Sequence, residues 1–435
     1  MNSKMKGVVG AASFGTVLEW YDFFLYGTAA ALVFPHLFFP STDPVIGTLL
    51  SFAVYATGFF ARPLGGVISG HFGDRVGRRR TLLVTLLVMG ISTALIGVLP
   101  TYDQVGLLAP VLLVVLRIVQ GLATGGEWGG ASLLTLEHAT ERRAFWGSFI
   151  SAAVYVGLIL GNLVFLLLNQ LLDDNALLSW GWRIPFLLSL LMVAVGVYIR
   201  RRVTESPEFE AVKNHQEQAG APIIEALRSH PRNIVAIFLM RLGQNTSFYI
   251  ISVFCLAYAT NTLGVDRTVT LTALLVGSAA AAISCPLWGM LADRHGYTGI
   301  MVGSLVVSAL LAFPTFLALD SKSAAVIVAT MIVMIAGVNA SNDAIQPGYF
   351  TAMFGTRIRY SGVSIGREGG GIIGGGLAPL IATALYAHYG HWWPVAAWIV
   401  FTSIAGIVGA LLARPVVDEL TIEVMGDVER VRLSA

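Results

Sequence analysis

Residues 70–80 read Gly70-His71-Phe72-Gly73-Asp74-Arg75-Val76-Gly77-Arg78-Arg79-Arg80, a glycine-bearing turn that joins one acid to a block of arginines. Long apolar runs flank it on both sides, so it is a charged connection between two helices. A shorter echo, Gly289-Met290-Leu291-Ala292-Asp293-Arg294-His295-Gly296, stands in the second half of the chain. The same spacing separates Gly70 from Gly289 and Asp74 from Asp293. One charged turn repeated at equivalent points of two apolar halves is the trace of a duplicated transporter whose site lies between the halves.

The composition around these turns agrees. Of 435 residues, 56% are hydrophobic and only 12% charged, where soluble domains run at roughly 25% charged. Lipid must therefore be the solvent for most of the chain. In lipid a spanning segment has to close its own backbone hydrogen bonds, which favours helices, and about 20 mostly apolar residues cross the hydrocarbon core. Apolar runs at 10–34, 45–71, 80–99, 106–136, 145–170, 181–200, 233–261, 268–292, 298–319, 323–353, 361–387 and 391–413 predict an all-α integral membrane protein. Its twelve transmembrane helices form two six-helix pseudo-symmetric bundles. The one long polar stretch divides the chain into an N-terminal bundle 1–200, a linker 201–232, a C-terminal bundle 233–413 and a tail 414–435. The first apolar run follows Lys4 and Lys6, but it is too long for a cleaved leader and no small-residue site ends it. Of the 27 Lys and Arg, only Arg183, Arg267 and Lys322 fall in connections on one side of the membrane. Most of the others, from Arg75 to Arg432, fall on the opposite side. That asymmetry places both termini of a multi-pass protein in the cytoplasm.

Several functions are disfavoured. A net charge of +2 gives no field for nucleic acid. Cys255 and Cys285 lie in apolar stretches without metal-ligand spacing and read as buried thiols. The glycine runs at 125–130 and 362–376 lack a phosphate-loop pattern, and no histidine stands in HExxH. Neither a cofactor nor a metal is implied, and the chain does not read as an enzyme. Gly362, Gly366, Gly370 and Gly374 recur every four residues, as in a close-packing helix seam. Trp180, Trp182, Trp392 and Trp393 fall at outer helix ends, as an interfacial belt does.

The motif at 70–80, its echo and the paired layout resemble the major facilitator superfamily over nearly the whole chain. Four further stretches resemble its metabolite:proton symporters: Glu19-Trp20-Tyr21-Asp22-Phe23, Arg62-Pro63-Leu64-Gly65-Gly66, Arg117 to Gly130, and Gly181-Trp182-Arg183-Ile184-Pro185-Phe186. Those proteins carry shikimate, α-ketoglutarate, citrate, proline or betaine. Gly73-Asp74-Arg75, Ile224-Glu225-Ala226-Leu227 and Arg359-Tyr360-Ser361-Gly362 look most similar to the shikimate branch. The chain departs from that branch at Arg367-Glu368, an adjacent ion pair where the branch is usually uncharged. Its tail also lacks the coiled-coil extension of the osmoprotectant carriers. The resemblance implies proton-coupled symport of a small organic acid by alternating access, by a protein that functions as a monomer in the lipid bilayer. It also implies that Asp74, Arg75 and Arg78, with Asp293 and Arg294 in the echo, serve as gating latches. An acid stabilised at a helix N-terminus gives such a latch its physical basis.

Glu19, Asp22, Arg62, Arg117, Glu127, Arg241, Asp343, Arg367 and Glu368 fall inside the expected spans. Each costs a few kcal/mol if it faces lipid, so they should pair or line a cavity. Glu19 and Asp22, one helical turn apart, share a face of helix 1; with Glu127 they are the candidates for proton coupling. Arg117, Gln120, Gly121 and Thr124 share a face of helix 4, with Glu127 nearly on it. The resemblance sets helices 1 and 4 together at the cavity, so Arg117 opposite Asp22 or Glu19 reads as a pair that protonation opens. A permanent bridge that locks the fold is the competing reading. Arg241, Gln244, Asn245 and Phe248 line one face of helix 7, and Asn339, Asn342, Asp343 and Gln346 one face of helix 10. Such stripes line a cavity or glue helices together. Tyr155 on helix 5 joins the candidates for substrate contact, which are Arg117, Gln120, Arg241, Gln244, Asn245, Asn339, Asn342, Asp343, Gln346 and Arg367. Arg62 divides evenly between snorkelling or interhelical bonding and substrate. Arg367 and Glu368 point about 100° apart on an ideal helix, so each is expected to find another partner. A drug:proton antiporter is the nearest rival, but Asn162 stands where its helix 5 pattern requires proline after Gly157 and Gly161.

Overall fold

The computed structural model describes residues 3–40, 43–76, 78–139, 141–202, 222–355 and 358–416. Its membrane helices are α1 (Ser3–Leu32), α2 (Pro44–Val76), α3 (Arg78–Gly97), α4 in two pieces (Leu108–Thr124 and Glu127–His138), α5 (Arg143–Leu171) and α6 (Arg183–Arg202). The second half adds α7 (Pro231–Thr262), α8 (Arg267–His295), α9 (Tyr297–Asp320), α10 (Ala324–Thr351), α11 (Arg359–Tyr389) and α12 (Trp393–Leu412). Among the described residues, nine helices are long and apolar enough to cross a membrane unaided, and a bent pair, Asp174–Gly181 with Arg183–Tyr198, makes a tenth. The helices α1 and α3 complete the set of twelve: α1 packs along α5, and α3 along α6 and α4. The face bearing the start of α1 and the end of α12 is called the terminal face below.

The expected spans match these helices, with differences at their ends. Apolar side chains such as Leu64, Leu107, Leu191, Ile283 and Leu310 are exposed on the outer surface, where a hydrocarbon solvent replaces the polar coat of a soluble protein. Inside each half, small residues let helices touch. A Cβ on Gly125 would stand 2.0 Å from the Arg62 carbonyl oxygen, and one on Gly121 2.2 Å from that of Gly58, so α4 lies backbone to backbone on α2. The seam on α11 holds for three of its four glycines: Cβ atoms on Gly366, Gly370 and Gly374 would stand 3.0, 2.5 and 2.7 Å from the Ile234, Phe238 and Leu242 carbonyl oxygens of α7, whereas Gly362 faces the Phe354 ring. Where α8 begins, Asp266 accepts the Thr268 N–H at 2.7 Å as an N-cap. The Thr268 hydroxyl, and then that bond, hold its carboxyl below the usual aspartate range.

Two tryptophans depart from the interfacial reading. Trp180 and Trp393 are exposed, but Trp182 and Trp392 are buried. Trp182 packs edge-on against Phe34, Phe38 and Phe186. Trp392 stacks on Phe316 and donates to Asp320 Oδ2 at 2.6 Å. Their position near a helix end is as expected, yet their rings turn inward to fill gaps between helices. Both cysteines are free and buried.

The chain halves meet along α5 and α8, with further contacts from α1, α2 and α4 to α7, α10 and α11. Several helices of the second half are locally widened: α7 at Ile250–Phe254, α10 at Val333–Asn339 and α11 at Ile372–Gly376. Such π-type turns free backbone groups and often mark functional regions. Those of α7 and α10 lie next to the polar stripes of the same helices, and that of α11 follows Arg367 and Glu368.

Candidate functional site

Every charged residue expected inside the membrane is buried: Glu19, Asp22, Arg62, Arg117, Glu127, Arg241, Asp343, Arg367 and Glu368 are each less than 9% exposed. None faces lipid, and they divide between two places.

The first place lies inside the N-terminal half. Glu19 pairs with Arg62 of α2 rather than with Arg117. Arg62 also donates through Nε to Thr124 at 3.2 Å, and its guanidinium sits 4.1 Å from the Phe23 ring centre. The interhelical bond, one of the readings given to Arg62, is formed. Arg117 turns toward α2, where Gly58 makes room for it. Its Nη1 donates to Gln120 at 2.5 Å and its Nε to the Tyr55 carbonyl at 3.3 Å. Phe23, Tyr26 and Tyr55 cage its guanidinium, with centroids 4.1, 4.5 and 4.9 Å away. The expected Arg117–Glu19 pair is not formed, because Arg62 reaches Glu19 first from the adjacent helix. Asp22 faces the Thr93 hydroxyl and lies within electrostatic range of Arg117; Thr93 in turn accepts from Gln120 Nε2 at 2.7 Å. Glu127 opens the second piece of α4, after the break at Gly125-Gly126.

The second place is a small cavity between the halves. It is lined by Trp20, Trp128, Ser151 and Val154 from the first half, and by Arg241, Gln244, Asn245, Phe248, Asp343, Gln346 and Arg367 from the second. The helix 7 stripe thus lines the cavity complete. Arg241 Nη1 donates to Gln346 at 2.7 Å, to Gln244 at 2.9 Å and to Asp343 Oδ1 at 3.3 Å. Asp343 Oδ2 accepts from the Tyr155 hydroxyl at 2.9 Å, and its backbone carbonyl from Ser151 at 2.6 Å, so α5 is tied to α10 across the halves. Arg367 pairs with Glu368 after all: a flexible guanidinium spans the angle between neighbouring helical positions. It also lies 3.8 Å from the Trp128 ring centre. Arg241 Nε, Arg367 Nε, Gln244 Nε2 and Asn245 Oδ1 are buried with no hydrogen-bond partner. Unmet polar atoms are costly in such a place, and here they converge on one cavity from one half of the molecule.

The helix 10 stripe splits. Asp343 and Gln346 face the cavity. Asn339 instead donates to the Met334 carbonyl of its own helix at 2.8 Å. Asn342 donates to Ser304 of α9 at 3.0 Å and accepts from Gln346. Asn339 and Asn342 are thus hydrogen-bonded within the second half, Asn162 accepts from Thr28, and Arg117 and Gln120 pair outside the cavity lining. Sequence reading missed Trp20, Trp128, Ser151 and Val154. The two tryptophans carried a usable signal, since each stands beside an intramembrane acid in Glu19-Trp20 and Glu127-Trp128.

Contacts between the halves close the cavity from both faces. Toward the terminal face, Tyr360 donates to the Gly126 carbonyl at 3.2 Å, and Asp293 accepts the N–H groups of Ala144 and Phe145 at 2.9 and 3.0 Å. Asp293 therefore caps the N-terminus of α5, while Arg294 is exposed. The side chains of Asp74, Arg75 and Arg78 lie outside the described residues. Toward the opposite face, Phe24 packs on Phe248 and Tyr249. Farther out, Arg267 bridges to Asp174 at 3.2 Å, and Asn169 donates to Thr268 at 3.1 Å. Among the described residues no cluster of His, Cys, Asp and Glu could hold a metal.

Comparison with known proteins agrees with this architecture. The family described as Major Facilitator Superfamily matches residues 12–366. The chain is 42% identical over 407 residues to the shikimate transporter of Escherichia coli (strain K12), covering 92% of each. It is 39% identical over 395 residues to the inner membrane metabolite transport protein YhjE of the same organism, covering 90% of each. Among solved structures it is similar to the xylose transporter XylE from E. coli in a partially occluded inward open conformation, with a TM-score of 0.74 and 18% identity, over 94% of this chain and 97% of that one.

Proposed function

Because the chain belongs to the Major Facilitator Superfamily, we propose that it carries a small organic acid across the bacterial inner membrane together with protons, by alternating access and as a monomer. The observation that carries this reading is Arg241, a buried guanidinium at the interface of the halves whose Nε has no partner. Arginine presents a planar fork that matches a carboxylate, and the neighbouring amides of Gln244, Asn245 and Gln346 suit hydroxyl groups on the same molecule. The relative named as a shikimate transporter makes shikimate the first acid to try. Trp20 and Trp128 flank the cavity and suit the apolar face of a ring.

In this reading Arg241, Gln244, Asn245, Gln346 and Arg367 meet the substrate, with Asp343 and Tyr155 at the border between the halves. Glu19, Asp22 and Glu127 are away from the cavity lining, so any part they play is in the proton path. Asp293 latches the terminal face, which is the cytoplasmic one, and Arg267 with Asp174 latches the other. A zwitterion such as proline or betaine is the second reading, favoured by the carboxylate of Asp343 beside Arg241.

The test is uptake of labelled shikimate, α-ketoglutarate, citrate, proline and betaine by proteoliposomes under an inward proton gradient. Accumulation of one acid that collapses with a protonophore supports the proposal. Uptake confined to proline or betaine sinks the acid reading.

A further inference from the structure

Among the described acids within the membrane helices, Asp343 is the one that lines the cavity; Glu19, Asp22, Glu127 and Glu368 do not. From that placement we infer that Asp343 is an internal stand-in for the substrate's carboxylate. The proton that crosses with each acid molecule is then the one that takes Asp343 off Arg241. The inference rests on the acid-transport reading above and adds to it the coupling residue and the charge class of the substrate.

Asp343 occupies Arg241 weakly. It meets the guanidinium through Oδ1 alone, at 3.3 Å, whereas charge-assisted bonds of this kind run at about 2.7–2.9 Å. Arg241 Nε is buried and unpartnered beside it. An incoming carboxylate therefore has a two-point contact available where Asp343 makes one.

The charges of the cavity decide the rest. Arg241 and Arg367 are balanced by Asp343 and Glu368. A monoanion entering this buried space leaves one negative charge in excess, which such a site tolerates poorly. A proton on Asp343 removes the excess. The step balances simply: a proton from the entry side bonds to Oδ1, the Arg241 contact to Oδ1 breaks, and the substrate carboxylate takes Arg241. The neutral carboxyl keeps the Tyr155 hydroxyl as a donor to Oδ2. On the other face the acid leaves, Arg241 recaptures Asp343, and the proton is expelled. One monocarboxylate thus travels with one proton, and a dicarboxylate would need a second.

The charged or titratable groups facing Asp343 are Arg241 from α7, Arg367 from α11, Tyr155 from α5 and Cys285 from α8. Tyrosine and cysteine ordinarily ionise above neutral pH, and arginine keeps its charge. The carboxyl is therefore the member of this set whose charge a physiological proton gradient changes. Glu368 is held by Arg367 and stands outside the lining.

The experiment uses the purified full-length protein and shikimate as the probe, read by quenching of Trp20 and Trp128 fluorescence across a pH series. In the wild type, Kd should rise about tenfold per pH unit on the alkaline limb, because one proton binds with each shikimate. In Asp343→Asn that slope should vanish. In proteoliposomes this variant should still exchange shikimate in counterflow but no longer concentrate it under a proton gradient. A retained slope, or accumulation above equilibrium, overturns the inference. Asp343→Glu, which keeps an ionisable carboxyl at this place, should keep a Kd that rises with pH; a Kd that no longer changes with pH there would also overturn the inference. That second variant decides the matter even if Asp343→Asn does not fold. Failure of the wild type to bind or take up any acid in the panel is a separate outcome, which overturns the acid reading on which the inference stands.

Discussion

At the scale of single residues, each buried charge has a neighbour that governs its role. Glu19 and Arg62 neutralise one another within the first half and tie α1 to α2. Glu19→Gln leaves a buried guanidinium without its carboxylate, which costs about 3–5 kcal/mol. The melting temperature of the detergent-solubilised protein should fall clearly, and Glu19→Gln/Arg62→Gln should recover most of the loss. A single variant that melts like the wild type would remove the pair from the fold's supports. Arg241 belongs to the other class. Arg241→Lys keeps the charge but loses the fork, and losing one charge-assisted bond costs about 1.5–3 kcal/mol. Affinity for the transported acid should drop about tenfold or more, as a titration of binding would reveal; an unchanged Kd would take Arg241 out of the site. Asp22→Asn tests the proton path: counterflow should persist while gradient-driven accumulation fails.

At the scale of helices, glycine decides where polar side chains can be placed. The crossing of α2 and α4 depends on Gly65, Gly121 and Gly125, whose absent Cβ atoms would each lie within 2.2 Å of a backbone oxygen. Backbone cannot swing aside as a side chain does. Gly125→Val should therefore push the helices apart, displace Arg62 from Glu19 and abolish the monodisperse folded peak on size exclusion. Gly10→Ala, with nothing within 4 Å of its added carbon, is the control and should elute as the wild type does. The widened turns of α7, α10 and α11 act in the other sense. They reset the helical phase beside the cavity, and Asn339 is spent on the Met334 carbonyl of its own helix. A stripe that looks uniform in sequence is thereby divided between scaffold and site.

At the scale of the whole molecule, the two halves are held at both faces. The Asp293 cap on α5 and the Arg267–Asp174 bridge sit at opposite ends of the α5–α8 contact. Removing either should bias opening toward its own face. With Cys255 and Cys285 replaced by alanine and Ser151→Cys added as a reporter in the cavity, Asp293→Ala should speed alkylation severalfold from the terminal face. Arg267→Ala should do so from the opposite face, with the smaller effect expected of a partly exposed ion pair. Equal labelling from both faces in both variants would mean that the two contacts are not latches.

The sequence by itself determined the solvent, the twelve helices and the duplicated halves, because these rest on composition, run length and a repeated turn. It also located the helix 7 stripe, since Arg241, Gln244, Asn245 and Phe248 sit on one face of one helix and a 3.6-residue period is local information. Only the tertiary structure decided the pairing. Whether Glu19 met Arg62 or Arg117 depended on which helix lay closer and on the space that Gly58 leaves. Whether Arg367 reached Glu368 depended on a side-chain rotamer, and the inward turn of Trp182 and Trp392 depended on gaps between helices. Periodicity fixes which face of a helix is polar, but what that face meets is set by the crossing of helices far apart in the chain.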